Sequence, residues 1–549
     1  MTNSDIAEIL SAYAKLSELH GENPFKIKSY QAAAFAIDKI LEPLCGKNLH
    51  ELESYQGIGK SIAKVVYECC SFNSFPELEA LISKTPKGVL DIMKIKGLGP
   101  KKVAFIWKNL GIESIGELLY ACKENRLAQA KGFGLKTQQN VLLQIEFMQA
   151  NAGKFHYYKA AALANRLVKI LKDKINAKIE ITGQIRRKCE VVDDIEILIG
   201  LINKELIHHV LQQIDIITEI LVNEFFINAT AENIPVKIYW VEPNEFAYKL
   251  MLTTGNDEHL KFIGFNESCK NFENENEIFY KLGTTFFEPE LREGLFEKEV
   301  GNIPLQLITF SDLKGALHNH STWSDGTASI EDMALFCIQL GWQYFGIADH
   351  SKAAFYANGL SEERILAQQK EIDVLNKKLM PFKIFKGIEC DILNDGTLDY
   401  SNEILKTFDY VVASVHSNLK MDETKAMNRL IKAIENPFTT VLGHATGRLL
   451  LVREGYPINH KKIIDACAAN GVSIELNANP YRLDLDWRYI PYALNKGVKI
   501  CINPDAHEPD GLLDMQWGVA VARKGLLTPK DCLNAMNVEE LDIYFKSKK

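Results

Sequence analysis

Gly315-Ala316-Leu317-His318-Asn319-His320-Ser321-Thr322-Trp323-Ser324-Asp325-Gly326 is the stretch from which the architecture can be read. A short apolar run ends in two histidines one residue apart, a spacing that on a strand turns both imidazoles to one face. Asp325 adds a carboxylate shortly after. The layout recurs downstream. His350 ends the run 344–349, Glu389 closes 385–388, His416 closes 410–415 and His444 closes 441–443, while Asp505 and His507 follow the run 498–504. Strand after strand ends in a potential ligand, with helical segments between. That predicts a β/α barrel with its site at the C-terminal face. One such histidine is usually a capped turn or core residue, but six histidines and three carboxylates at successive strand ends would be an odd coincidence. Mixed imidazole and carboxylate donors suit Zn2+, Mn2+ or Fe, in numbers sufficient for two or three ions.

The arrangement closely resembles the PHP (polymerase and histidinol phosphatase) domain, a distorted barrel of seven strands. The resemblance implies a trinuclear site built from His318, His320, Asp325, His350, Glu389, His416, His444, Asp505 and His507, with Glu389 bridging two ions. It casts His318, His320, Asp325, Glu389, Asp505 and His507 as catalytic. The segment Asn477-Ala478-Asn479-Pro480-Tyr481-Arg482-Leu483-Asp484 matches relatives attached to bacterial family-X polymerases. There Arg482 is either a phosphate contact or a surface ion pair.

Residues 155–310 alternate helices with short apolar strands, such as 178–181 and 195–199. Gly183-Gln184-Ile185-Arg186-Arg187 precedes Asp194-Ile195-Glu196. Residues two apart on a strand share a face, so Asp194 and Glu196 present paired carboxylates of the kind that hold divalent metals, with Arg187 for a triphosphate. The pattern resembles the nucleotidyltransferase core of family-X DNA polymerases, continuing through Leu252-Thr253-Thr254-Gly255 to Glu288-Pro289-Glu290-Leu291-Arg292-Glu293-Gly294. Against that family the site is altered. Gln184 replaces a serine, Glu196 an aspartate, Leu252-Thr253 an aromatic pair, and Lys237 stands where the third carboxylate belongs. The last change moves the local charge by two units beside the metals. The site is therefore expected to be vestigial, with templated synthesis weak or absent and neither Mg2+ nor dNTP well held. Val65 occupies the position of the lysine nucleophile of lyase members, so a Schiff base is not expected either.

The first 150 residues read as helices separated by glycine turns. Gly57-Ile58-Gly59, Gly97-Leu98-Gly99 and Gly132-Phe133-Gly134 each place an apolar residue between glycines, then a helix start carrying Lys60, Lys101 or Lys136. Close backbone approach beside unpaired helix N–H groups makes a small anion site. The three resemble helix-hairpin-helix motifs, which hold DNA by its backbone. Asn23-Pro24-Phe25-Lys26-Ile27-Lys28-Ser29-Tyr30, before an Ala-rich helix, resembles the opening of family-X polymerases.

Composition fits this reading. At 549 residues, 47% hydrophobic and 24% charged, the chain is multidomain and globular. The net charge of −8 argues against a general nucleic-acid binder, but residues 1–150 carry 18 basic against 16 acidic residues and so form a slightly basic front. No run reaches the length of a membrane span, and the acidic start MTNSDIAEIL reads as no signal peptide, so a cytoplasmic location is expected. The 11 cysteines, without a CxxC pair, are expected to be reduced core thiols.

The whole chain thus resembles bacterial PolX-type family-X DNA polymerases. The implied fold is multidomain α/β: helix-hairpin-helix segments over 1–80 and 81–150, a mixed α+β nucleotidyltransferase core over 151–310, and a distorted (β/α)7 PHP barrel over 311–549, with the connector near residues 301–315. The resemblance implies a bacterial DNA-repair enzyme, monomeric and nucleoid-associated when bound to gapped, nicked or 3′-ended DNA. Its barrel would hydrolyse phosphodiesters; relatives act as 3′–5′ exonucleases and some cut at abasic sites. Two alternatives remain open, a PHP-type small-molecule phosphatase and a non-catalytic DNA-binding scaffold. The three hairpin turns argue against the first, the complete ligand set against the second.

Overall fold

Thr2 opens the first helix, Asn3–His20, through a capping box. Its hydroxyl accepts from the Asp5 N–H, the Asp5 carboxylate accepts from the Thr2 N–H, and Gly21 closes the helix at φ +78°. Short helices then succeed one another to Leu135–Asn151. The computed structural model describes residues 1–40, 42–72, 75–123, 125–300 and 306–548, and contacts divide the chain into two units, Met1–Ala152 and Gly153–Lys549. Part of the expected connector, residues 301–305, lies outside the described residues.

In the first unit the apolar residues inside the first two glycine turns, Ile58 and Leu98, are buried, and Phe133 of the third packs against the same core. Gly57 has φ +91° and its Cα faces the neighbouring helix so closely that a Cβ would lie 2.6 Å from that of Ala36, so only glycine fits. The cysteine expectation needs one correction. Cys45 and Cys70 form a disulfide, which joins the loop before the first turn to the helix after it, Lys60–Phe72. The fold brings together two residues 25 apart, which spacing alone did not reveal. The other nine are free thiols.

The second unit begins with β1 (Phe155–His156), β2 (Ile179–Thr182) and β3 (Val191–Val192), of which β1 and β3 pair antiparallel. With β4 (Ile195–Ile199), β5 (Ile217–Val222), β6 (Phe226–Ala231) and β7 (Ile234–Trp240), β2 forms a sheet in the order β2-β4-β7-β6-β5. Isoleucines at 195, 197 and 199 bury themselves with Leu163, Leu167 and Leu171 of helix Tyr157–Lys174. β4 and β7 run parallel with Glu196 directly opposite Lys237.

Seven parallel strands follow: β8 (Gly315–Ala316), β9 (Tyr344–Ile347), β10 (Lys383–Asp391), β11 (Tyr410–Ser414), β12 (Val441–Leu442), β13 (Ser473–Asn477) and β14 (Ile500–Asn503), paired in sequence order. Their near-continuous burial is that of a parallel sheet covered by helices. A parallel bridge between Asn319 and Ala506 brings the first and last together, with the His320 N–H donating to the Ala506 carbonyl at 2.8 Å. The nearly closed barrel is the expected PHP-like architecture. Its interior is filled near the strand starts by Tyr344, Phe385 and Tyr410. Glycines 346 and 387 leave room for the Tyr410 ring, whose hydroxyl donates to the carbonyls of Leu317 and Ile347 at 2.6 and 2.9 Å. Helix Val538–Lys546 covers this end, with Phe545 stacked on Tyr410 at 5.0 Å.

Candidate metal centre and paired-carboxylate site

At the other end of the barrel, all nine strand-end residues converge. Glu389 lies at the middle. Its Oε1 is 3.2 Å from His318 Nε2, 3.0 Å from His416 Nε2 and 3.0 Å from His444 Nε2, and its Oε2 is 2.9 Å from His350 Nδ1. Asp505 Oδ1 lies 3.0 Å from His320 Nε2. Asp325 is within 3.6 Å of His350 and 3.4 Å of His507. Three overlapping donor groups result: His320, Asp325, His350 and His507; His318, His320 and Asp505; His350, Glu389 and His416.

These residues fit divalent metal ions. His318 Nε2, His320 Nδ1, His350 Nδ1, His444 Nδ1 and Glu389 Oε2 are buried without a hydrogen-bond partner among the described residues, a cost that coordination would remove. Burial disfavours charge throughout, yet the carboxylates draw positive charge in. Burial would lower His318, but Glu475, Glu389 and Asp505 hold its pKa well above the usual imidazole value. Against the same burial, Glu389 carries His416 up to about 10. His320, buried beside His507 and His350, falls to about 3. The carboxylates that favour the charged rings of His318 and His416 would equally attract metal cations.

Further residues, which sequence reasoning missed, orient these side chains. Buried Glu475 on β13 lies 2.7 Å from His318 Nδ1 and accepts from the His444 N–H and the Asn503 amide, both at 3.0 Å. Asp391 lies 3.1 Å from His416 Nδ1. In both histidines this leaves Nε2 for the centre. Asp349 accepts from the Ser321 N–H and hydroxyl at 2.7 Å and from Gln368 at 2.6 Å, which anchors the loop carrying Asp325. For Glu475 the sequence shows a carboxylate between Ile474 and Leu476 on a strand, but not which side chain it meets.

The paired-carboxylate site is arranged differently. Glu196 lies against Gly183, but Lys237 Nζ lies 3.6 Å from Asp194 Oδ2. Burial, and then the Asp194 charge, raise Glu196 to about 7. Gln184 is engaged, donating to the Asp193 carboxylate at 2.8 Å and accepting from its N–H at 2.7 Å. Arg187, expected on a triphosphate, instead donates to the Thr254 carbonyl at 2.7 Å and lies 3.4 Å from Glu293. Glu293 in turn accepts from the buried Lys524 of the barrel helix Met515–Lys524 at 2.6 Å. The strand reading missed this because a double arginine reveals nothing of which way each side chain turns. A cation among the carboxylates and an occupied arginine do not fit a two-metal centre.

The three glycine turns lead into helices Lys60–Phe72, Pro100–Leu110 and Leu135–Asn151, and neither Gly99 nor Gly134 supplies a side-chain cap. Lys60, Lys101 and Lys136 are exposed at these starts. Val65 is buried, while Lys64 points outward beside Glu68.

Comparisons with known proteins agree with this geometry. A helix-hairpin-helix domain matches residues 1–71, a SAM-like helix-hairpin-helix tandem 89–146, and a PHP domain 316–479, so that Asp505 and His507 lie beyond the matched segment. The "DNA polymerase/3′-5′ exonuclease PolX" of Bacillus subtilis (strain 168) is 33% identical over 100% of both chains. A "Probable phosphatase" of Thermoanaerobacter sp. (strain X514) is 28% identical over 32% of this chain and 74% of its own. Another from Acetivibrio thermocellus is 26% identical over 42% and 95%. These two align with only part of the chain; the PolX match runs its full length. No helix among the described residues is long and apolar enough to cross a membrane. From hairpin turns to barrel, the chain belongs to the PolX family.

Proposed function

We propose that this DNA-binding enzyme works mainly as a metal-dependent phosphodiesterase on DNA 3′ ends, from its barrel, with templated synthesis weak or absent. The observation that carries this reading is the contrast between the two sites. Nine side chains, Glu389 among them, converge with buried nitrogens unpaired, whereas Lys237 pairs with Asp194 in the site that would extend a primer. We assign all nine residues as ligands of two or three Mn2+ or Zn2+ ions. When bound, they would supply a nucleophile at neutral pH and countercharge for phosphoryl oxygens. Glu475 and Asp391 hold the rings of His318 and His416 so that each Nε2 faces that charge. The segments 1–80 and 81–150 grip phosphates through Gly57, Gly59, Lys60, Gly97, Gly99, Lys101, Gly132 and Gly134, on gapped, nicked or 3′-ended DNA, with the protein acting as a cytoplasmic monomer.

The test is 5′-labelled DNA incubated with Mn2+, with and without dNTPs. Shortening without extension is expected, abolished by a chelator. His318→Ala with His320→Ala should cost orders of magnitude in rate. Asp194→Ala should leave shortening nearly intact. Equal loss in both variants would merge the two sites into one active unit, and full activity in the double-histidine variant would remove the barrel from the mechanism.

A further inference from the structure

The metal centre is most open near Asp325 and His507, whose side chains are 33% and 40% exposed. His507 and Asp505 also border a cavity of about 310 Å3 whose other walls include Leu449, Val452, Tyr481 and Arg482. That volume is at the lower end of small-molecule sites and suits one nucleotide better than a duplex.

Tyr481 is 39% exposed, yet firmly held. The support comes from the start of this unit. The Tyr158 hydroxyl donates to that of Tyr481 at 2.7 Å, and the rings of His156 and Tyr158 meet the Tyr481 ring edge-on at 4.8 and 5.6 Å. His156 Nε2 is itself 3.0 Å from the Leu450 carbonyl, beside the aliphatic wall. Two cations are near: Arg482, with Nε 3.7 Å from Asp505 Oδ2, and Lys159, 5.9 Å from the centre of the Tyr481 ring. An aromatic ring braced in one position, aliphatic walls and a guanidinium beside two metal-site residues form a set that can receive a base and a phosphate together.

We propose that this cavity is the subsite for the 3′-terminal nucleotide, with its base on Tyr481 and its phosphate beside Arg482. His156 and Tyr158 are positioning residues, so the segment that leads into the nucleotidyltransferase core shapes the barrel's substrate site. Stacking tolerates any base, so the subsite selects for a base without selecting which one. The proposal rests on the phosphodiesterase reading above, and its test separates the two.

Full-length protein is given 5′-labelled single strands that end either in thymidine or in a tetrahydrofuran residue lacking the base. The ratio of the two KM values, abasic over thymidine, is expected to be roughly 5 to 100 in wild type, the weight of one stacked base. It should collapse to about 1 in Tyr481→Ala, recover in Tyr481→Phe, and fall part of the way in Tyr158→Ala, with melting curves checking that each variant is folded. In parallel, calorimetry measures dTMP against deoxyribose 5-phosphate in the presence of Mn2+. Preference for dTMP that Tyr481→Ala removes supports the subsite even if no 3′ end is hydrolysed, an outcome that would sink the phosphodiesterase reading alone. Hydrolysis with a wild-type ratio near 1, or dTMP bound no better than the sugar phosphate, overturns the subsite while leaving that reading standing.

Discussion

Lys237 Nζ and Asp194 Oδ2 lie 3.6 Å apart, across the parallel pair β4 and β7 in which Lys237 directly faces Glu196. The cation therefore does part of what metal ions would do at paired carboxylates: it lowers Asp194 against the rise that burial imposes.

Restoring the missing carboxylate should consequently restore little. Lys237→Asp is expected to give at most trace primer extension with Mg2+ in a gel assay, because Arg187 stays bound to Thr254 and Glu293. Robust template-directed extension by the unmodified protein would overturn the vestigial reading altogether.

Glu475 offers a test inside the barrel that leaves every proposed ligand in place. Glu475→Gln keeps the shape but weakens the hold on His318 Nδ1, and outer-shell losses of this kind cost about 10- to 100-fold in metal affinity or activity. Metal content measured alongside hydrolysis should show the drop. Unchanged values in both would make Glu475 a packing residue.

The nine residues were legible because each closes an apolar run or stands a few residues beyond one, and the barrel follows from the same periodicity. Glu475 was not, since Ser473-Ile474-Glu475-Leu476-Asn477 reads as an ordinary strand until the fold closes it against His318. The partners of Arg187 were not legible for a related reason. A short helical turn, Gly183–Arg186, separates the glycine from the arginine, and the partners Thr254 and Glu293 come from distant segments. The Cys45–Cys70 pairing likewise depends on a tertiary approach.

At the hairpin turns, Gly59 and Gly99 have ordinary φ values and open space where a Cβ would stand, so larger residues there should leave the fold intact. Gly59→Leu with Gly99→Leu should weaken DNA binding at least about 10-fold by blocking close approach of phosphates, and should flatten the salt dependence of the affinity. Titration at several salt concentrations reads both effects, and metal content should not change. Undiminished affinity would reduce the turns to structural elements.

Glu275 carries a pH prediction for stability. Burial would raise its pKa, but Arg186 and Arg292, at 2.6 and 2.5 Å, outweigh it and hold the carboxyl at about 2. A depressed acid stabilises the fold above its unfolded value, here 4.5, and that contribution fades as pH falls toward 2. Glu275→Gln should therefore cost about 3 kcal/mol at pH 7, and the gap to wild type in urea unfolding should narrow below pH 4.5. A gap independent of pH would assign the loss to packing.

Phe545 on Tyr410 has a consequence for how the molecule comes into being. Residues 315–319 start the barrel, but their partners stand at 503, 506 and 534, and the cover over the strand starts arrives only with Leu541 and Phe545. During synthesis the helical first unit has all its own partners once residue 152 is made. The barrel has to wait through nearly the whole of translation, its unpaired strands exposed meanwhile. The front of the molecule can thus be folded while the donors that meet around Glu389 are still on separate, unassembled strands.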